Sequence, residues 1–170
     1  MTGMEARATP RFAEKREAIL DGAALLFNRR GIKAGTLAEV ARSVGLATNS
    51  LTYYYRKKED LVCACLARSI AAIEGVIDQA AKADGLAGRV GAFVQGFVGL
   101  MADIAERRHA ELIFFGDMRA LPQPQAGPVF AAYVEMFRRL RRLLRDEASP
   151  PEAGAERRRA LNARTHLLLA

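Results

Sequence analysis

A chain of 170 residues with 51% hydrophobic and 26% charged side chains can bury one substantial core, or join a small reader module to a larger helical body, and its balance excludes disordered and collagen-like classes. The formal charge of +7 favours an anionic partner such as nucleic acid; it is spread mildly toward the N-terminus, with 11 Lys/Arg against 7 Asp/Glu in residues 1–61 and 15 against 12 in residues 62–170. The cysteines, Cys63 and Cys65, diverge on a helix and suit neither a shared disulfide nor a metal, and residues 1–10 lack the apolar stretch of a signal peptide. No uncharged apolar run approaches the length of a bilayer span, so the expectation is a reducing, cytoplasmic protein with no membrane association.

Residues 11–29 place Phe12, Ile19, Ala23, Leu26 and Phe27 at helical spacing between charges, and this amphipathic helix closes at Gly31. Thr36 stands where an N-cap belongs and Glu39 completes a capping box before Val40, Ala41 and Val44. Gly45 is free to take positive φ, and Thr48 is placed to cap a third short helix that includes Leu51 and Tyr55. Two short helices across a glycine turn suggest a helix-turn-helix.

From Lys58 a longer helix runs through Leu61, Leu66, Ile70, Ile73 and Ile77 to Asp84-Gly85. Residues 86–107 read as the next helix, weakened by Gly88, Gly91, Gly96 and Gly99. His109–Ala120 reads as a shorter one stopped by Leu121-Pro122, and Val129–Ala148 as another. Ser149 to Glu152 then gives a second capping box, with prolines suited to a helix start. No strand-like alternation is present, so the expected fold is all-α.

The stretch from Thr36 to Leu61 resembles the DNA-binding signature of the TetR (tetracycline-repressor-like) family. Members usually show Gly-Val-Ser, a small pair, Leu-Tyr-Tyr-His-Phe, a basic linker and Lys-Glu-x-Leu, and positions 45–61 follow this without a gap. Ala23 to Phe27 followed by Arg30-Gly31 resembles the family's first helix. Two positions depart from the pattern: Thr52 stands where an aromatic is usual, and Tyr54 where histidine is common, so the operator cannot be carried over from relatives.

The resemblance implies an N-terminal three-helix DNA-binding domain over residues 1–61, joined to a helical ligand-binding and dimerisation domain over residues 62–170. It implies a homodimeric repressor released from palindromic double-stranded DNA by a small molecule. Thr48, Asn49, Ser50 and Thr52 are then the candidates for base edges, Asn49 being able to donate to and accept from adenine. Thr36, Tyr53, Tyr54 and Lys58 are candidates for phosphates, while Tyr55 takes a core position with Leu37, Val40, Val44 and Leu51 behind it. Capping accounts for Thr36 and Thr48 without DNA, and helix packing for part of the tyrosine run.

For a ligand cavity the candidates are Phe93, Phe97, Met101, Phe114, Phe115, Tyr133 and Phe137; ordinary core packing is the competing explanation for each. Arg138, Arg139, Arg141, Arg142 and Arg145 interleave with Phe137, Leu140 and Leu144, which is the pattern of a solvated helix face. His109 and His166 lack nearby ligand-type partners, no catalytic motif is evident, and neither metal nor cofactor is expected.

Leu161, Leu167, Leu168 and Leu169 lie in a helix-like run reaching Ala170, whereas TetR relatives continue through this helix and one more to build the dimer interface. The expectation is a truncated or incomplete version of a longer repressor that lacks its last helix. The rival readings are a ligand-independent DNA-binding accessory or architectural protein, and a helical enzyme carrying an incidental helix-turn-helix.

Overall fold

In a computed structural model, which describes residues 10–113, 121 and 126–145, the chain is helical throughout its regular structure. The helices are α1 (Pro10–Arg30), α2 (Leu37–Ser43), α3 (Thr48–Tyr54), α4 (Lys58–Ala80), α5 (Gly85–Ala105) and α6 (Ala126–Leu143). They fall into two compact units. The first runs to Leu66 and takes in the segment beginning at Glu111; the second comprises residues from Ala67 to Ala110 and from Gly127 onward. The division therefore falls inside α4.

The first unit is organised on α1. Pro10 opens the helix, where its missing N–H costs nothing, and Gly31 closes it at φ 78° with its amide bonded to Phe27 O at 2.8 Å. One face of α1, formed by Ile19, Leu20, Ala23, Ala24 and Phe27, is at most 3% exposed. Val40 and Ala41 of α2 and Leu51 of α3, also buried, join the same core. Fully burying side chains of this size contributes about 1.5–3 kcal/mol each for the larger ones, enough to seat two helices of only seven residues that would not persist alone.

The α2 start follows the sequence expectation in detail. The Thr36 hydroxyl accepts the Glu39 amide, and the Glu39 carboxylate accepts the Thr36 amide at 3.0 Å and its hydroxyl at 2.9 Å. Gly45 takes φ 66° in the turn, and Leu46 N returns to Ala41 O at 2.8 Å. The expected cap of α3 is different. Ala47 is the N-cap, with extended backbone and no side-chain hydrogen bond, and Thr48 is the first helical residue. Tyr55 likewise lies past the helix, as its C-cap at φ −139°, although its ring is buried as expected.

In the second unit α4 ends at Ala80, one turn before the expected Asp84-Gly85. Successive bonds from Lys82 N to Gln79 O and from Ala83 N to Ala80 O tighten its last turn, and Gly85, at φ 64°, instead opens α5. The glycines of α5 have a use at one point: a Cβ on Gly96 would come within 2.9 Å of Val76 on α4, so the two helices approach closely there. Gly85–Ala105 is also long and apolar enough to cross a membrane by length and composition, with Arg89 and Asp103 inside it. Its outward face leaves Val94 and Val98 exposed.

The helix expected from His109 does not begin there. Arg107 takes φ 59°, and Arg108 N and His109 N both bond to Asp103 O, at 2.7 and 3.0 Å. This closes α5 in the left-handed manner usually reserved for glycine, and residues 110–113 that follow are non-helical. The Arg108 guanidinium adds bonds to the Asp103 carboxylate. Residues 114–120 of that expected helix, the capping box at Ser149 and the leucine run from Leu161 all lie outside the described residues. The following helix starts at Ala126, three residues before the expected Val129, and ends at Leu143 rather than Ala148.

Of the five arginines read as a solvated face, Arg138, Arg142 and Arg145 are exposed. Arg139, however, turns back to α4, donating to Glu74 at 2.9 Å and pairing with Asp78. Leu140 and Leu144 are buried on the opposite stripe.

A Cβ on Gly22 would lie 2.5 Å from Val44 Cγ1 and 3.0 Å from Ser43 Oγ, whereas one on Gly45 would meet nothing within 4 Å. Gly22→Ala is therefore expected to cost about 1–3 kcal/mol through overpacking, and Gly45→Ala about 1–2 kcal/mol through backbone strain alone. Urea denaturation of both variants checks this. Val44→Ala should rescue Gly22→Ala and leave Gly45→Ala unrescued.

Candidate nucleic-acid interface

Of the expected DNA contacts, Thr48, Asn49, Ser50, Thr52, Tyr53 and Tyr54 lie on α3, which follows α2 and the Gly45 turn, while Thr36 is the N-cap of α2 and Lys58 the first residue of α4. Leu51 anchors α3 with 0% exposure, and this single buried residue fixes which side of a seven-residue helix faces outward. Thr48, Asn49 and Ser50, in its first turn, are all exposed. Freed from capping by the Ala47 boundary, Thr48 stands beside Asn49 as a first-turn hydroxyl. Thr52 is half-buried, and its hydroxyl donates to Asn49 O at 2.8 Å.

Tyr53 is 78% exposed while Tyr54 is half-buried, and their rings meet edge to face with centroids 5.6 Å apart. Tyr55 points the other way, into the unit. Burial raises its phenol pKa above the ordinary tyrosine value, against the opposing pull of the Arg16 guanidinium, whose carbon lies 5.7 Å from the ring centroid. The run of three tyrosines thus divides between surface and core, because Tyr55 follows the end of the helix and its extended backbone reverses the side chain.

Two of the expected phosphate contacts have internal work. The Thr36 hydroxyl is occupied with Glu39 in both directions. The Glu39 pKa is lowered, first by the Thr36 side-chain hydrogen bond and also by Arg30, with which it forms an ion pair. The Lys58 ammonium donates to Ile32 O at 3.0 Å and to Lys33 O at 3.1 Å, so the first residue of α4 pins the loop between α1 and α2. Sequence spacing gives no sign of this, because the partners are backbone carbonyls about 25 residues away. Among the exposed cations of this unit that the sequence reading did not single out as contacts are Lys33, Arg42, Arg56 and Lys57.

The expected cavity residues lie in the second unit. Phe93 is fully buried and stacks on half-buried Phe97 at 6.1 Å. Tyr133 and Phe137, both half-buried, meet at 4.7 Å and 61°, Met101 is half-buried, and Phe114 and Phe115 lie outside the described residues. A cleft of about 300 Å³ in this unit is lined by other residues, including Ile77, Asp78, Arg89, Arg139, Arg142 and Leu143. Its arginines have partners: Arg142 pairs with Glu135, and Arg89 donates to Leu143 O and Arg145 O at the end of α6. Cys65 is buried with its thiol 3.8 Å from Leu20 O, and burial raises the pKa of the Cys63 thiol. Among the described residues no group of three or more His, Cys, Asp or Glu is placed to hold a metal ion.

Residues 19–65 match the family model described as bacterial regulatory proteins, tetR family. Over 109 residues the chain is 29% identical to the HTH-type transcriptional repressor KstR2 of Mycolicibacterium smegmatis, a match covering 62% of this chain and 50% of the relative. The chain thus spans about half the length of that curated relative. Among solved structures, a TetR-family transcriptional regulator from Bordetella parapertussis is similar with a TM-score of 0.72 at 22% identity, covering 89% of this chain and 77% of the other. The TetR-family regulator PfmR of Thermus thermophilus gives a TM-score of 0.60 at 15% identity, with 89% and 96% covered. NalD, the secondary repressor of a multidrug efflux pump in Pseudomonas aeruginosa, gives 0.60 at 21%, with 92% and 82% covered. At these identities the structural likeness concerns the fold.

Replacing Lys58 with Met keeps the aliphatic stem and removes both donors to the α1–α2 loop. The expected loss is about 1 kcal/mol for part-exposed, charge-assisted bonds, read as a lower urea midpoint with an unchanged m-value. An unaltered midpoint would return Lys58 to a purely solvent-facing role.

Proposed function

We propose that the chain is a TetR-family DNA-binding transcriptional regulator acting as a repressor, on the match of its residues 19–65 to that family's model. One observation carries the reading: α3 buries Leu51 and turns Thr48, Asn49 and Ser50 outward in its first turn. That is the arrangement by which a short recognition helix presents its N-terminal side chains to base edges in the major groove while the flanking helix meets the backbone. Asn49 is the residue best suited to adenine, through its paired donor and acceptor. Thr48 and Ser50 supply hydroxyls to bases or phosphates, and Tyr53 and Tyr54 supply phenols to phosphates. Lys33, Arg42, Arg56 and Lys57 supply the sequence-independent attraction. Thr36 and Lys58 act chiefly by holding α2 and the preceding loop in place.

In this reading the protein works in the cytoplasm as a homodimer on a near-palindromic operator, its two α3 helices entering half-sites roughly 34–36 Å apart. The second unit receives a small apolar molecule through the half-buried side chains Phe97, Met101, Tyr133 and Phe137. Release requires that the ligand bind the non-operator state more tightly than the operator-bound one. The pairwise ring packing of Phe93 with Phe97 and of Tyr133 with Phe137 favours a second reading, in which the helical body is a filled core and the protein is a ligand-independent DNA-binding accessory factor. No part of the proposed activity is enzymatic.

The DNA flanking the coding region supplies the probe. Saturable binding to one near-palindromic site is expected, with Asn49→Ala costing about 1–3 kcal/mol and relaxing discrimination at one base position. Arg56→Ala should weaken all sequences alike and lower the salt slope by about 1. Binding by a folded dimer that is weak and indifferent to sequence and to Asn49→Ala would refute specific repression through α3.

A further inference from the structure

We propose that Phe12, in the first turn of α1, is a positioning residue for the DNA contacts of α3, because its ring fixes the side chains of Tyr53 and Tyr54. The inference rests on the reading that α3 faces DNA, and extends it to a helix that carries no base-reading residue. Phe12 lies seven residues before Ile19, on the far N-terminal side of the buried α1 face, and is itself only half-buried. Its ring stacks on Tyr54 with centroids 4.8 Å apart and planes at 24°, and meets Tyr53 edge-on at 6.2 Å and 85°. The two tyrosine rings meet each other at 5.6 Å and 90°. These offset-stacked and edge-to-face arrangements are the attractive ones for aromatic rings.

A tyrosine that is 78% exposed has no core to orient it, so its ring contacts set where its hydroxyl points. The consequence for binding is entropic. A phenol held in one rotamer before the encounter loses less freedom when it donates to a phosphate than one that must be immobilised on binding. An apolar cluster on an otherwise polar reading surface is in keeping with a contact face. Phe12 carries no charge and no polar group, so its influence on DNA must act through the two phenols.

The test uses the full chain and the duplex that the wild-type protein enriches from a random 30-base-pair pool, with affinity measured over a salt series. Phe12→Ala is expected to weaken binding by about tenfold, the scale of one or two neutral hydrogen bonds. The log–log salt slope should stay unchanged, because the lost contacts release no counterion. Phe12→Tyr should restore affinity to within about twofold, and in a Tyr53→Phe, Tyr54→Phe background Phe12→Ala should cost less than about twofold. Phe12→Leu retains apolar burial without the ring, so it answers the same question if the alanine variant does not fold, and should also lose most of the tenfold.

Wild-type-like binding by both Phe12→Ala and Phe12→Leu overturns the proposal. So does a loss that persists undiminished in the double-phenylalanine background, which would give Phe12 an effect independent of the phenols. A salt slope flattened by about 1 overturns it too, since α1 would then act through its cations. If the wild-type chain enriches no duplex at all, the reading of α3 fails and takes this inference with it, an outcome distinct from enrichment that ignores Phe12.

Discussion

The buried face of α1 is the constraint on which the placement of α2 and α3 depends. Ile19, Leu20, Ala23, Ala24 and Phe27 leave almost nothing exposed, and two helices of seven residues hold their shape only by burying Val40, Ala41 and Leu51 in the same core. Helices this short have no independent stability in water, so the outward direction of Asn49 is a consequence of where Leu51 must go. Gly22 tightens the arrangement by admitting Val44 where a methyl group would stand, and Lys58 holds the carbonyls of Ile32 and Lys33 in the loop before α2. Polar and apolar constraints therefore agree on one placement of α3.

The second unit follows different physics. It has no described helix as short as α2 or α3, and Gly96 permits close approach to Val76, while Arg139 links α6 to Glu74 and Asp78 of α4. The half-buried pair between Arg139 and Glu74 is better placed to fix register than to add much net stability, because desolvation offsets part of the attraction. Arg89 completes the set by donating to Leu143 O, the last carbonyl of α6, and to Arg145 O just past it, an end that has no glycine to close it.

Several local features were legible in neighbouring residues. The Thr36 and Glu39 capping box, the Gly31 and Gly45 turns and the amphipathic α1 follow from spacing alone, and the resemblance over residues 36–61 supplied the orientation of the tyrosines. The sequence was silent where a structural cause lay far away or in unusual backbone. Arg107 adopts a conformation more natural to glycine and ends α5 before the expected next helix can start. Ala47 rather than Thr48 bounds α3, because the turn places an ordinary extended residue there. The bonds of Lys58 to Ile32 O and Lys33 O were not legible, because carbonyls leave no signature in side-chain identity. Phe12 read only as part of an apolar stripe; its ring contacts depend on how α1 and α3 are seated, which no local pattern encodes.

We propose that the first turn of α3 and its neighbouring tyrosines contact DNA. The most direct measurement is a titration of the isotope-labelled full chain with the enriched duplex, following backbone amide and tyrosine ring resonances. Shifts are expected to concentrate on residues 48–54, with smaller ones at the α2 start and at Phe12, and little change along the exposed arginines of α6. Perturbations clustered on Arg138, Arg142 and Arg145, with α3 unmoved, would contradict it.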